Sequence, residues 1–283
     1  MRLGLDQPSP PDRPDEILAQ EPEHIAGRAA GVGQERLDRS LPDMLLTGFV
    51  GGIEVSLGAL GAMLVLGVVL GAAPRLGLYG GLALGGLVFP VGFFFVVVGR
   101  SELFTENFLI PVVGALGRRS GLLRLAVLWG LSWLGNLLGC ALVAGLLSVP
   151  EAIGPTILRG YAAYSAYKLD LPLPGLFVSA LLAGMIMTVL TWLLLAVPSA
   201  PAKAIAIWAA GYVLFATNLS HVIVSAAILF VGFAPSGHDL ADVARYVGVT
   251  SLGNLAGGLG LVTCFRLAQV WEKRRQRRQP GGR

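Results

Sequence analysis

Charge is scarce in this chain. Only 13% of its 283 residues are Asp, Glu, Lys or Arg, against 54% hydrophobic, where soluble domains carry about 25% charged residues. The shortage is also uneven: residues 1–43 hold 14 charged side chains, residues 266–283 hold 8, and the 222 residues between hold 16. That supply is too small to wet the surface of a soluble globule, which excludes a soluble enzyme, a nucleic-acid binder and a disordered protein. Cysteine is nearly absent. Cys140 and Cys264 both lie in apolar runs and read as small apolar fillers, with no disulfide framework. The three histidines, His24, His221 and His238, are far apart in sequence, so no metal site is expected, and no cofactor. No nucleophile–base–orienter set stands out either, which argues against an enzyme.

What the chain has instead is long apolar runs and glycine. Six stretches, at roughly 45–71, 79–116, 122–148, 173–197, 201–233 and 246–270, are each long enough for a membrane span of about 20 residues. The mean hydropathy is +0.71, and 39 glycines suit helices whose backbones approach closely in lipid. Gly48, Gly51, Gly52, Gly67 and Gly71 make the first stretch an expected packing face, with Glu54 buried against a neighbouring helix or protomer through a hydrogen bond. The second and fifth stretches are too long for one simple helix, and polar residues interrupt both. Arg100, Ser101, Glu102, Thr105, Glu106 and Asn107 interrupt the second; Thr217, Asn218, Ser220 and His221 interrupt the fifth. Such residues are costly in hydrocarbon unless they line a cavity or are buried in protein.

Residues 1–43 contain no apolar signal-peptide core; the run PSPPDRPDE reads as disordered and His24–Asp43 as a short surface helix. The C-terminal EKRRQRRQPGGR is strongly basic and follows a span directly. That favours an anionic-lipid anchor or a topology signal over a nucleic-acid patch. Six spans put both ends on one side, together with Arg118, Arg119, Arg124 and Lys203; Arg75, Arg159, Lys168 and Arg245 fall on the other. The positive-inside rule then makes both termini cytoplasmic.

The third and sixth stretches share a string, SWLGNLLGCALV at 132–143 and TSLGNLAGGLGLV at 250–262. Glu102 precedes Asn136 by 34 residues, and Ser220 precedes Asn254 by the same number. The chain therefore reads as two three-helix halves, each with an interrupted middle helix and a Gly-Asn third helix. An odd number of spans per half makes the repeat inverted, the arrangement in which broken helices meet near the midplane.

The string GRSELFTENFLIPVVG (99–114) resembles the signature of the formate/nitrite transporter family, in which an acidic-Leu-Phe-Thr string interrupts the second helix. FATNLSHVIVSA (215–226) resembles its second signature, with a histidine just after the break in the fifth helix. The resemblance covers about 45–270. It implies an all-α integral membrane protein with an aquaporin-like protomer and broken second and fifth helices, assembled as a homopentamer in the bacterial inner membrane. Each protomer would conduct small monovalent anions or their conjugate weak acids. True aquaporins are disfavoured, because the chain has no Asn-Pro-Ala box.

Carried onto this chain, the resemblance makes Leu103, Phe104 and Thr105 the interrupting loop and His221 the central histidine, hydrogen-bonded to Thr105. It makes Phe89, Phe93, Phe104 and Leu214 the constrictions, and Lys168 and Lys203 the charges of the two entrances. Asn136 and Asn254 match the asparagines of the third and sixth helices. Arg100 is expected to neutralise Glu102 or Glu106, with Glu102 capping and orienting the loop. Arg100, Ser101, Glu106, Asn107, Gly184 and the Leu-Ser-His of 219–221 depart from the common pattern, which leaves the substrate open. The implied organisation is a cytoplasmic, partly disordered tail over 1–43, a transmembrane channel domain over 44–270 and a basic cytoplasmic tail over 271–283.

An anion pays a large desolvation cost in an apolar constriction. Positive charge at Lys168 and Lys203 would concentrate it, and a proton would neutralise it. That proton comes either from His221 or from water in the vestibule. A neutral-solute pore of the same fold and a non-conducting scaffold or sensor are the alternatives.

Overall fold

The computed structural model describes residues 21–116, 118, 120–149 and 151–277; the PSPPDRPDE run, Arg119 and residues 278–283 of the basic tail lie outside them. All regular structure among the described residues is helical. Helix α1 (Pro22–Asp38) precedes the first span, α2 (Leu41–Ala72). The second span runs through α3 (Gly77–Gly85) and α4 (Pro90–Gly99), breaks, and resumes through a 3-10 turn (Phe104–Phe108) into the short α5 (Ile110–Ala115). The third span is α6 (Gly121–Leu147). Helix α7 (Pro155–Leu169) leads to the fourth span, α8 (Leu173–Ala196). The fifth is split into α9 (Ala200–Ala216) and α10 (Val222–Gly232). The sixth starts as α11 (Leu240–Leu255), passes through a π-helical segment (Ala256–Thr263) and ends as α12 (Cys264–Arg277).

Both interruptions foreseen in the sequence are real breaks. The six spans form two inverted repeats of three, each with its middle span broken. In the first half α2 packs on α6, and in the second α8 packs on α11, so each half pairs its first and third spans. Glycine makes these pairings possible. A Cβ on Gly52 would sit 2.2 Å from the Asn136 carbonyl oxygen, and one on Gly184 would sit 2.1 Å from that of Asn254. Gly184, one of the departures from the family pattern, is thus the counterpart of Gly52: each lets a span lie against the asparagine of its own half.

One element was not assigned from the sequence and another departs from expectation. The stretch between the third and fourth spans holds a full helix, α7, packed on α2 and α10. Its Thr156, Arg159, Ser165 and Lys168 mask the helical signal, while Gly160 meets Met63 and Gly67 backbone to backbone. Helix α1 is not a free surface helix. Ile25, Ala26, Ala29, Ala30 and Leu37 form a buried stripe, and Gly33 lies so close to Ile110 of α5 that a Cβ would meet its carbonyl oxygen at 2.2 Å. At its C-terminal end Asp38 bonds Arg118, and Arg124 donates from Nε to the Leu37 carbonyl at 2.8 Å. The hydrogen bond from Arg118 holds the Asp38 carboxyl below the usual carboxylate range. This tie is therefore present at neutral pH and lost as pH falls through that lowered value.

Gly184→Ala should force α8 and α11 apart and cost about 1–3 kcal/mol, the usual penalty of overpacking. Thermal unfolding in detergent checks this: Gly184→Ala should melt lower than wild type, and alanine at Gly130, where a Cβ meets nothing within 4 Å, should not.

Candidate functional site

Breaking a helix inside an apolar layer leaves backbone donors and acceptors without partners, each costly there. At the first break α4 ends on Arg100, whose φ of 60° lies in the left-handed region and whose N–H returns to the Val96 carbonyl. The chain then runs extended through Leu103. Asn136 of α6 closes this gap. Its Oδ1 accepts from the Phe104 N–H at 2.8 Å, and its Nδ2 donates to the carbonyls of Glu102 at 2.8 Å and Gly48 at 2.7 Å. At the second break Asn218 adopts φ 56° after the end of α9, and Asn254 repeats the arrangement. Its Oδ1 accepts from the Val222 N–H at 2.9 Å, and its Nδ2 donates to Ser220 at 3.0 Å and Ala180 at 2.7 Å. The 34-residue spacings of the sequence are these two Nδ2–carbonyl bonds.

The two breaks meet at Thr105 and His221, both fully buried, with Oγ1 and Nε2 2.7 Å apart. His221 is the N-cap of α10: its Nδ1 accepts from the Val224 N–H at 3.1 Å. A backbone N–H can only donate, so Nδ1 carries a lone pair. In the neutral ring the proton then sits on Nε2 and points at Thr105 Oγ1. Thr105 receives that bond and keeps its own O–H as a donor. The positive end of the α10 dipole lies at the same point.

One aromatic ring packs against the contact and others pack behind it. Phe93 stands edge-on to the His221 ring with centroids 6.0 Å apart; Phe89 lies 4.9 Å from Phe93 and stacks on Phe215 at 4.8 Å. Phe104 lies edge-on to Phe108 at 4.8 Å. Phe89, Phe93, Leu103 and Leu214 are fully buried and Phe104 nearly so. Phe215, which the sequence reading did not single out, completes the aromatic stack against Tyr164.

Charge is placed differently from expectation. Arg100 pairs with neither Glu102 nor Glu106 among the described residues. The Glu102 Oε1 is held by Arg36 Nε at 2.9 Å and Arg39 Nη1 at 2.6 Å, both at the C-terminal end of α1, while Arg36 also donates to Asn107 Oδ1 at 2.8 Å. The left-handed cap leaves the Arg100 side chain exposed, and the docking of α1 supplies the cations instead. Glu54 receives a short hydrogen bond from Ser101. Trp129 Nε1 and Thr263 Oγ1 donate to the Asn107 and Phe108 carbonyls, each at 2.7 Å, so the loop is held on several sides.

Lys168 sits on α7, fully buried, and donates to the Asn218 carbonyl at 2.5 Å and Ser220 Oγ at 3.2 Å. It is thus joined to the second break. Lys203 lies in the first turn of α9, about 22 Å along the helix from that break, and is not brought to the other residues. No group of three or more metal-ligating side chains exists among the described residues.

Removing one asparagine bracket should be costly, because the Phe104 N–H and the Glu102 carbonyl in the gap lose their partner. Asn136→Leu should lower stability by at least about 1–3 kcal/mol, the cost of one unsatisfied buried group. Hydrogen exchange should show protection lost first at Phe104 and its neighbours, and protection unchanged there would count against the bracket.

The model of the family described as "Formate/nitrite transporter" matches residues 23–268. An uncharacterised transporter of Bacillus subtilis (strain 168) is 28% identical over 92% of this chain and 97% of its own length. A formate channel of Bacillus thuringiensis is also 28% identical, over 85% of this chain and 92% of its own. Among solved structures, a pentameric formate channel with formate bound superposes with a TM-score of 0.66 at 20% identity, covering 81% of this chain and 96% of that one.

Proposed function

Because this chain belongs to the formate/nitrite transporter family, we propose that it is a channel or transporter passing small monovalent anions, or their conjugate weak acids, across the bacterial cytoplasmic membrane. The observation that carries this reading is the meeting of two broken spans at Thr105 and His221, with Phe93 against the imidazole and further buried phenylalanines beyond it. Such an arrangement offers polar contacts only at one point of an apolar passage. An anion reaching it is stripped of water, finds a hydroxyl donor and a helix N-terminus there, and must take up a proton to continue at low cost.

The cap bond on Nδ1 supports one source for that proton. A second proton on the ring would have to take Nδ1 and break the cap of α10. A neutral ring that gave up its Nε2 proton would become an anion in an apolar layer. His221 therefore serves as a hydrogen-bond donor that fixes Thr105, and the proton comes from water on the approach. Lys168, which rests on a carbonyl, a hydroxyl and the Tyr164 ring, supplies the positive field that draws the anion inward. Formate is the first substrate to test, because the relative from Bacillus thuringiensis carries that name. A homopentamer is the expected assembly, by likeness to the pentameric neighbour. Both termini belong in the cytoplasm, on the side of Arg118, Arg124 and the basic C-terminus.

Three proteins reconstituted in matched liposomes test this role. His221→Phe should keep the fold and lose most anion flux, since Thr105 then lacks its partner. His221→Asn should keep measurable flux and the same rise in flux as pH falls, because the proton is gathered outside the ring. A pH response lost in His221→Asn would make the imidazole the proton source. Identical flux in all three would leave His221 a packing residue.

A further inference from the structure

Where α1, α5 and α12 converge, they enclose a cavity of about 140 Å³ lined by Ala26, Val113, Leu267, Val270 and Trp271, with Arg274 at its edge. Apolar cavities of this order stay dry and accept hydrocarbon. The place in the membrane follows from the spans. Helix α12 is the end of the sixth span and α5 the end of the second, so the cavity opens where acyl chains give way to headgroups. Trp271, 60% exposed, fits that boundary, where tryptophan collects.

Basic side chains outnumber the acids at the rim, and one of them is unused. Arg266 lies over the Trp192 ring at 4.9 Å, Lys273 bonds Glu21 at 2.6 Å, and Arg275 lies 4.0 Å from Glu272. Half-buried Arg274 makes no ion pair or hydrogen bond among the described residues. The sequence continues with Arg277 and Arg278. A half-buried guanidinium beside an apolar cavity at the headgroup level calls for a ligand with an anionic head and a hydrocarbon tail.

We propose that this cavity binds an anionic phospholipid from the leaflet that bears the chain termini, with its phosphate on Arg274 and an acyl segment between α1, α5 and α12. The occupied site ties α12 to α1, the helix whose Arg36 and Arg39 hold Glu102 beside the first break.

The test uses the full-length protein in nanodiscs of phosphatidylcholine, with and without phosphatidylglycerol. Lipid retention is read by native mass spectrometry and stability by thermal unfolding. Phosphatidylglycerol should be retained preferentially and should raise the melting temperature of wild type. Arg274→Gln should lower that retention about fivefold, the factor matching one basic residue at a membrane surface. Leu267→Phe, which fills the cavity, should lower it as well, and exposed Arg75→Gln on the opposite side should not. If Leu267→Phe does not fold, Arg274→Gln carries the test alone. Equal retention of both lipids, or unchanged retention in Arg274→Gln, overturns the proposal. So does a gain in retention on deleting residues 1–20, which would make the chain's own N-terminus the occupant. Loss of oligomers in Leu267→Phe with retention unchanged would assign the cavity to a second copy and overturn it too.

Discussion

Two asparagine side chains make the rest of this structure possible. A span that breaks in hydrocarbon exposes peptide groups that neither water nor lipid can satisfy. In each half one amide supplies an acceptor to the residue that resumes the chain and two donors to carbonyls, one before the gap and one on the first span of that half. Asn136 joins Gly48, Glu102 and Phe104, and Asn254 joins Ala180, Ser220 and Val222. With both breaks secured, Thr105 and His221 come within 2.7 Å. The glycines follow from the same demand, because an asparagine can reach across only where Gly52 and Gly184 let the backbones touch.

The two halves share this bracket and differ in what surrounds it. The first break is held by a carboxylate under two arginines of α1, by Trp129 and by Thr263 from the π-helical part of the sixth span. The second is held by Lys168 and by Ser179, which accepts from the Ser220 N–H at 3.0 Å. At the first break two arginines share the Glu102 carboxylate. At the second, Lys168 rests on a carbonyl and a hydroxyl.

Much of this was legible in the sequence because the physics is local or periodic. The spans follow from apolar length, the breaks from polar residues that lipid does not tolerate, and the repeat from two equal spacings that proved to be hydrogen bonds. The rest depends on tertiary contacts without a local signature. Helix α7 carries Arg159, Ser165 and Lys168, which keep it out of the apolar runs, and its burial by α2 and α10 has no local signal. The arginines that clamp Glu102 stand 63 and more residues away in sequence, so the nearer Arg100 looked the better partner. Its left-handed backbone turns it outward instead. The π-helical segment over Ala256–Thr263 begins in a glycine-rich string that looks like ordinary close packing, yet it sets Thr263 against the Phe108 carbonyl.

The account turns on an anion that enters charged and crosses neutral. A stopped-flow flux panel on the reconstituted wild type, with formate, nitrite, acetate, lactate, hydrosulfide and chloride at two pH values, addresses this directly. The small weak-acid anions should be carried, faster at the lower pH, and should compete with one another, while chloride, which cannot be neutralised by a proton in water, should pass poorly at both. Chloride carried as fast as formate with no dependence on pH, or solute flux that no anion inhibits, would contradict it.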